Sequence, residues 1–196
     1  MKIYWAGTDA LSLISYPSPF RFRRKCKAFA MRVAVKIMDS LFLSGHIVNH
    51  PLLKEHLIEF GIKKPIIVLE LPLKHNKYYE KVTHKGFNVL YYKTPNTTDN
   101  FRAWVYGYDI YLEVKKRVNG VNWIEIDGSQ DLSKIFPIVD FYLRCNRHDG
   151  VSRLRRECEI QQIPYYWSQQ NPNVDEIVNT IEKYKLKKNE EKKDNH

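Results

Sequence analysis

The sequence has few cysteines and no long apolar run. Its three cysteines are widely spaced and form no CxxC pair, which excludes a zinc ribbon and a thioredoxin-like motif. We therefore expect reduced thiols, as in an intracellular protein. The most apolar long window, residues 28–48, is interrupted by Arg32, Lys36 and Asp39, so it is not expected to span a bilayer. Residues 1–5 lead into no sustained apolar region and predict no signal peptide.

Patterns that read nucleic-acid bases are also missing. The chain has no RNP-like, zinc-finger or helix-turn-helix pattern and no internal repeat. Carboxylates are few relative to cations, with 22 Asp and Glu against 32 Lys and Arg and a formal net charge of +10. Such an excess favours a polyanionic partner: nucleic acid, an anionic membrane surface or a phosphorylated substrate.

The 196 residues contain enough apolar material for one domain of ordinary size, since 43% are hydrophobic and 13% are aromatic. Strand patterns occur at 3–6, 46–49, 65–71, 87–92, 121–126, 139–144 and 163–167. Helix patterns occur at 10–14, 20–43, 51–60, 108–118, 131–136, 151–162 and 174–184. Several strands are continuous apolar runs, as expected when both faces of a sheet are covered. This alternation predicts an α/β fold, a Rossmann-like domain with a mainly parallel sheet, which binds ligands at the carboxyl ends of its strands.

Residues 140–167 combine a strand, a polar loop and a helix. The polar loop and its flanks contain Arg144, Arg147, His148, Asp149, Gly150, Val151 and Ser152. A glycine before a helix leaves backbone N–H groups free to bind a diphosphate. Glu157 follows two turns into the helix, where a carboxylate can accept hydrogen bonds from ribose hydroxyls. Taken alone, the two carboxylates also fit a structural interpretation, with Asp149 at the helix N-terminus and Glu157 paired with a neighbouring arginine.

This segment resembles the nucleotide-sugar segment of retaining GT-B glycosyltransferases. In that family two acidic residues are separated by seven others, and Asp149 and Glu157 keep this spacing, with Asp in place of the more usual Glu. Gln162-Ile163-Pro164 stands where Gly-x-Pro is common. Further similarity is found at residues 5–9, 44–49, 52–72 and 101–109.

The resemblance implies a glycosyltransferase that transfers a sugar from a UDP- or GDP-sugar to an acceptor, with retention of configuration. It implies a GT-B-like fold with a truncated N-terminal domain: a remnant with a basic helix at 1–43, a Rossmann-like nucleotide-sugar-binding domain at 44–184, and a disordered charged tail at 185–196. No cofactor is implied. Since the chain has no DxD motif, we expect a metal-independent reaction.

Roles for individual residues follow from the same resemblance. Asp149 is expected to face the sugar and His148 to contact the sugar or the acceptor. Lys93 or Arg102 is expected to stabilise the leaving diphosphate. The expected donor-binding residues are Gly128, Arg144, Arg147, Gly150, Val151, Ser152 and Glu157. The expected acceptor-side residues are Gly7, Thr8 and Asp9.

A basic segment at residues 21–36 is a second candidate surface. Its first cations are Arg21, Arg23, Arg24, Lys25 and Lys27, and apolar residues are interspersed with them. Three interpretations stay open: a solvated helix face, a membrane-surface helix and a nucleic-acid contact. Each Lys or Arg beside an anionic leaflet contributes about 1 kcal/mol to binding.

The basic segment supports an alternative function, a non-catalytic Rossmann-like module that binds nucleic acid or an anionic membrane surface. Nucleic acid is the less favoured partner, because no base-reading pattern accompanies the charge. For the transferase, a lipid-linked acceptor and a homodimer are the further partners considered. We expect a cytoplasmic location, with peripheral contact to the membrane.

Overall fold

A computed structural model describes residues 1–5, 13, 22–69, 72–93, 100–147, 152–168 and 171–194, with the backbone alone at 22–25, 100–102 and 192–194. The chain divides into two compact units. The amino-terminal unit comprises Met1–Pro72 and His148–Ser152, and the carboxyl-terminal unit comprises Leu73–Arg147 and Arg153–His196.

The amino-terminal unit contains a three-stranded parallel sheet in the order β1-β2-β3. Its elements are β1 (Lys2–Trp5), α1 (Phe22–Leu41), β2 (Gly45–Val48), α2 (Pro51–Phe60) and β3 (Ile66–Val68). Helix α2 has the predicted bounds because the side chain of His50 accepts the Leu52 N–H at its start and Gly61 ends it at φ 92°. The core packs Trp5, Val48 and Leu57 against Val35 of α1.

A buried chain of hydrogen bonds joins three elements of this unit. The Trp5 indole N–H donates to His46 Nδ1 at 2.9 Å. Because Nδ1 accepts that bond, the proton of neutral His46 lies on Nε2 and is donated to Asp39 Oδ1, 3.0 Å away. The Lys63 backbone N–H donates to Asp39 Oδ2 at 3.1 Å. The network therefore ties β1, β2 and the segment before β3 to the end of α1.

The carboxyl-terminal unit contains a four-stranded sheet in the order β5-β4-β6-β7, and all three pairings are parallel. Its strands are β4 (Phe87–Tyr92), β5 (Val121–Ile126), β6 (Phe141–Arg144) and β7 (Tyr165–Trp167). Its helices are α3 (Asn100–Val105), α4 (Tyr108–Arg117), α5 (Leu132–Ile135), a 3₁₀ turn (Phe136–Ile138), α6 (Arg153–Ile160) and α7 (Val174–Asp194).

Both faces of the four-stranded sheet are covered, as its continuous apolar strands predicted. Val89 and Tyr91 belong to one core cluster, together with Tyr111 of α4 and Ile177 of α7. Leu90, between them in sequence, belongs to the other core cluster. This alternation follows from the period of two along a strand. The predicted α/β fold with parallel strands is confirmed.

Several element bounds differ from the predicted ones. Strand β3 ends at Val68, and β6 begins only at Phe141 because the 3₁₀ turn occupies Phe136–Ile138. Helix α6 ends at Ile160, and Gln162 beyond it adopts a left-handed φ of 55°. Helix α3 was not among the predicted helices. Of the predicted helix at 10–14, Leu13 alone lies within the described residues, and it is helical.

The division of the chain also differs from the expected one. The boundary follows Pro72 rather than residue 43, because β1 pairs with β2 along its whole length, from Lys2 opposite Gly45 to Trp5 opposite Val48. The segment predicted to be a remnant is thus one strand and one helix of a larger unit.

The tail expected to be disordered from residue 185 is helical to Asp194. The expectation of disorder rested on the few apolar residues of the tail. In the structure, lysines of the tail form ion pairs that hold the helix. Lys185 pairs with Glu182 at 2.7 Å, and Lys188 binds Asp140 Oδ1 at the start of β6 at 2.5 Å. Across the described stretches of the chain, none of the helices has the length and apolar character needed to cross a membrane.

Candidate functional site

Two cations and a glycine lie at the carboxyl edge of the four-stranded sheet, with Lys93 and Arg144 on opposite faces of it because side chains alternate along a strand. Strand β4 lies between β5 and β6, with Tyr92 opposite Ile126 and Tyr91 opposite Leu143. Lys93 directly follows β4, Gly128 follows β5, and Arg144 is the last residue of β6. The sequence placed all three of these residues in the candidate site, and the parallel register brings them to one edge.

Lys93 lies between a carboxylate and an aromatic ring. Its Nζ is 3.6 Å from Glu125 Oε2 and 5.6 Å from the centre of the Tyr108 ring, and about a third of its side chain (36%) is exposed. The Tyr111 hydroxyl donates to Glu125 Oε1 at 2.6 Å, which is the main reason why the pKa of Glu125 is lowered, although burial opposes this. Lys115 also binds Glu125 Oε1, at 2.9 Å. Lys93 therefore shares its counter-charge with a second lysine.

Arg144 lies beside two tyrosines at the same edge. Its Nη1 donates to the Tyr142 hydroxyl at 3.2 Å. Burial raises the pKa of Tyr92, while the positive charge of Arg144 acts in the opposite direction. Gly128 has a φ of 96°, and a Cβ added there would lie 3.5 Å from the Tyr92 hydroxyl oxygen, an ordinary van der Waals contact. Tyr92 therefore lies beside Gly128 and within the electrostatic influence of Arg144.

Arg147 was expected to bind the donor, but its guanidinium is occupied by protein groups. Its two Nη atoms bind the two carboxylate oxygens of Asp109 at 2.7 and 2.6 Å, and Nη1 also donates to the Trp104 carbonyl at 2.9 Å. Burial raises the pKa of Asp109, yet the hydrogen bonds and charge of Arg147 outweigh it, so the pKa is lowered overall. These contacts fasten the loop after β6 to the α3–α4 corner.

Glu157 was expected to bind the donor ribose, and the structure places it in a buried position on α6. Glu157 is only 3% exposed. Its Oε1 accepts the backbone N–H of His75 at 3.2 Å. One turn on, Gln161 accepts the Tyr79 N–H at 2.8 Å and donates to the Lys77 carbonyl at 2.6 Å. Glu157 and Gln161 together fix the irregular segment 73–80 to α6.

Replacing Gln161 by leucine is expected to release that segment. Gln161 is 1% exposed, so the substitution leaves the partly buried Tyr79 N–H and Lys77 carbonyl without their partner, at a cost of about 2 kcal/mol. Hydrogen exchange at the Tyr79 amide should accelerate about tenfold or more. Lys77→Ala is the matched control, because it alters an exposed side chain and keeps the carbonyl. Equal protection in both variants would contradict this role.

Of the remaining predicted site residues, the structure describes some fully and others by their backbone alone, and the rest lie outside the described residues. Ser152 is buried and precedes α6. Arg102 lies in α3, and Arg23, Arg24 and Lys25 lie in α1, but their side chains are outside the described set. Lys27 is exposed on α1. The following predicted residues lie outside the described residues: Gly7, Thr8, Asp9, Arg21, His148, Asp149, Gly150 and Val151.

Cysteine and metal chemistry are not indicated by the residues that the structure describes. All three cysteines are free. Cys145 follows Arg144 at the candidate edge, but burial raises its pKa to about 12, so its thiol is not a ready nucleophile. Among those same residues, no three His, Cys, Asp or Glu side chains are grouped so that they could hold a metal ion.

The opposite, amino-terminal edge of the sheet has a cavity of about 990 Å³ that the sequence did not indicate. Lys188 lies in its wall, 2.5 Å from Asp140 Oδ1 and 3.1 Å from His84 Nε2. The Asp140 carboxylate also accepts the Asn88 N–H at 2.7 Å. These polar groups bind one another and hold α7 to the sheet, so we keep the carboxyl edge as the candidate site. The cavity combines residues up to 110 positions apart in sequence, from Lys81 to Glu191, and no local pattern signals it.

Comparison with known proteins identifies no family for this chain: no protein-family model matches it, and no curated protein sequence is similar to it.

Proposed function

We propose that this protein is a glycosyltransferase that binds a nucleotide-diphosphate sugar at the carboxyl edge of its four-stranded sheet. One observation carries the proposal: the parallel register of β4 and β6 brings two cations, Lys93 and Arg144, to the edge where such sheets bind ligands. The resemblance of residues 140–167 to GT-B enzymes adds the substrate class, a UDP- or GDP-sugar.

The chemistry asked of this edge is stabilisation of a leaving group. When the bond between the sugar and the diphosphate breaks, negative charge grows on the diphosphate oxygens. Cations already in place lower the energy of that charge without having to reorganise. Lys93 and Arg144 supply such cations, and Gly128 gives a phosphate or ribose group close access to the backbone. Asp149 and His148 keep their proposed place beside the sugar, on the resemblance alone.

Calorimetric titration with a panel of UDP- and GDP-sugars tests this function. We expect one of them to bind, and Lys93→Gln and Arg144→Gln each to weaken binding about tenfold to a hundredfold, the effect of losing one charge-assisted hydrogen bond. Lys85→Gln is the matched control, because Lys85 is an exposed lysine just before β4, at the opposite end of the same strand. No binding, or an equal loss in the control, would refute the proposal.

Glu157→Gln separates the ribose role from the structural one. The amide oxygen of glutamine can still accept the His75 N–H, so the segment it holds should stay in place. If the carboxylate binds ribose, donor affinity falls while the melting temperature is retained. Unchanged affinity would leave Glu157 with its contact to His75 alone.

NMR of the reaction with the donor that binds tests the stereochemistry of transfer, and retention of the anomeric configuration is the expected result.

A further inference from the structure

We propose that α1 lies flat on the surface of an anionic lipid bilayer. The helix carries two apolar faces, and among the described residues only one of them is buried. On the covered face, Ala28 and Val35 are buried and Val35 packs into the core of the amino-terminal unit. On the other face, four large apolar residues at successive intervals of four are exposed: Phe29 (68%), Val33 (42%), Ile37 (48%) and Leu41 (71%). We call these four residues the apolar stripe.

The spacing makes the stripe continuous. Residues four apart on an α-helix are separated by about 40° around the axis, so the four side chains cover one slowly turning band about 18 Å long. Phe42, which follows the helix, is also 64% exposed. An apolar band of this kind on a helix rich in Lys and Arg has the composition of an interfacial helix.

The charge of α1 selects an anionic partner. Its 20 residues include six cations: Arg23, Arg24, Lys25, Lys27, Arg32 and Lys36. Its one carboxylate, Asp39, is buried and bound to His46, so it does not offset them on the outer surface. By helical geometry Lys36 lies on one flank of the stripe and Lys27 on the other, and both are exposed. Apolar residues can then enter the headgroup boundary while lysines beside them meet lipid phosphates and carboxylates.

Charge complementarity therefore favours an anionic bilayer over a second copy of this chain. A second copy packed on this face would bring its own Lys27 and Lys36 near those of the first, and the like charges would repel. This inference is independent of the proposed sugar transfer, because α1 contributes no residue to the sheet edge. Failure of either proposal leaves the other standing.

Co-sedimentation with vesicles tests the proposal. The full chain is expected to bind phosphatidylcholine vesicles that contain about 30% phosphatidylserine and not those of phosphatidylcholine alone, with binding that weakens as salt is added. Phe29→Ser with Ile37→Ser should lower the partition coefficient about tenfold or more. Lys27→Gln with Lys36→Gln should lower it about 25-fold, or roughly fivefold for each cation.

Helix α2 provides the matched control. Ile58 is 56% exposed there, and Lys54 is exposed on the same helix, so Ile58→Ser with Lys54→Gln makes the same chemical changes elsewhere on the unit. This variant should bind vesicles as the parent does, and all variants should retain their melting temperatures.

Three outcomes would overturn the proposal. The first is equal binding to both kinds of vesicle, or to neither. The second is sedimentation velocity that shows a dimer which the stripe variant dissociates, which would make this face an interface between copies. The third is binding of a fluorescent oligonucleotide that depends on Lys27 and Lys36 but not on Phe29 and Ile37, which would make it a nucleic-acid surface.

Discussion

Substitution of Gly107 by alanine is expected to lower the free energy of unfolding by about 3 kcal/mol or more. Gly107 has a left-handed φ of 67°, which costs an alanine about 1 kcal/mol. An added Cβ would also lie only 2.0 Å from the Cys145 carbonyl oxygen and 2.9 Å from its carbon. Because both are backbone atoms, they cannot rotate away, and the end of β6 must move.

Gly120→Ala is the matched control for this effect. Gly120 has nearly the same φ, 68°, but its Cβ position has no neighbour within 4 Å. Gly120→Ala should lower the free energy of unfolding only by the cost of placing an alanine in the left-handed region. Urea unfolding of both variants measures the difference, which isolates the close approach of the α3–α4 corner to β6. Equal losses would show that this contact relaxes freely.

Gly107→Ala should also disturb the candidate site. Arg144 directly precedes Cys145, so a displaced end of β6 shifts Arg144 from its position at the sheet edge. Gly107→Ala is therefore expected to weaken nucleotide-sugar binding, whereas Gly120→Ala is not. The pair of variants tests whether donor affinity depends on the position of this strand end.

Asp39→Ala is expected to destabilise the amino-terminal unit by about 3 kcal/mol. Removal of the carboxylate leaves the fully buried His46 Nε2–H and the partly buried Lys63 N–H without their acceptor. Ser40→Ala, at the exposed neighbouring position, is the control and should be nearly neutral. Urea denaturation of the two variants compares them, and a loss in Asp39→Ala no larger than in Ser40→Ala would refute this role of the network.

The contribution of Asp39 should also depend on pH. Burial raises the pKa of its carboxyl, but the hydrogen bonds from His46, Lys63 and Lys64 outweigh burial, so the pKa is below its ordinary value of 3.8. A carboxyl whose pKa is lower in the folded state contributes stability above the unfolded pKa and loses it as the pH falls through the folded pKa. Titration of this carboxyl should therefore not change the stability difference between the parent and Asp39→Ala above about pH 5. Below about pH 4, protonation of Asp39 should make the difference smaller.

The sequence predicted the order of strands and helices well, and for physical reasons that are local. Helix α2 begins at Pro51 and ends before Gly61, because the backbone preference of each residue acts at its own position. The apolar runs of β4 and β6 predicted a sheet covered on both faces, since each residue alternately faces one side or the other. The placement of Lys93, Gly128 and Arg144 at one edge followed from strands that all run in the same direction.

The roles of Arg147 and Glu157 could not be predicted in the same way. Arg147 binds Asp109, 38 positions away, and Glu157 binds the backbone of His75, 82 positions away. Local periodicity reports which face of its own element a residue occupies, but it carries no information about which distant group lies opposite. A spacing typical of a donor site was therefore compatible with a buried structural contact.

The sequence by itself determined the alternation of elements, the parallel sheets and the excess of positive charge, because backbone preference, apolar periodicity and composition are properties of short segments. Tertiary structure decided which charges are neutralised and which face the solvent. It paired Asp39 of α1 with His46, so this carboxylate is buried and does not offset the cations of α1 at the surface. It paired Lys188 with Asp140, which holds the helical tail to the sheet. Those outcomes depend on how strands and helices are brought together, since the partners are distant in the chain.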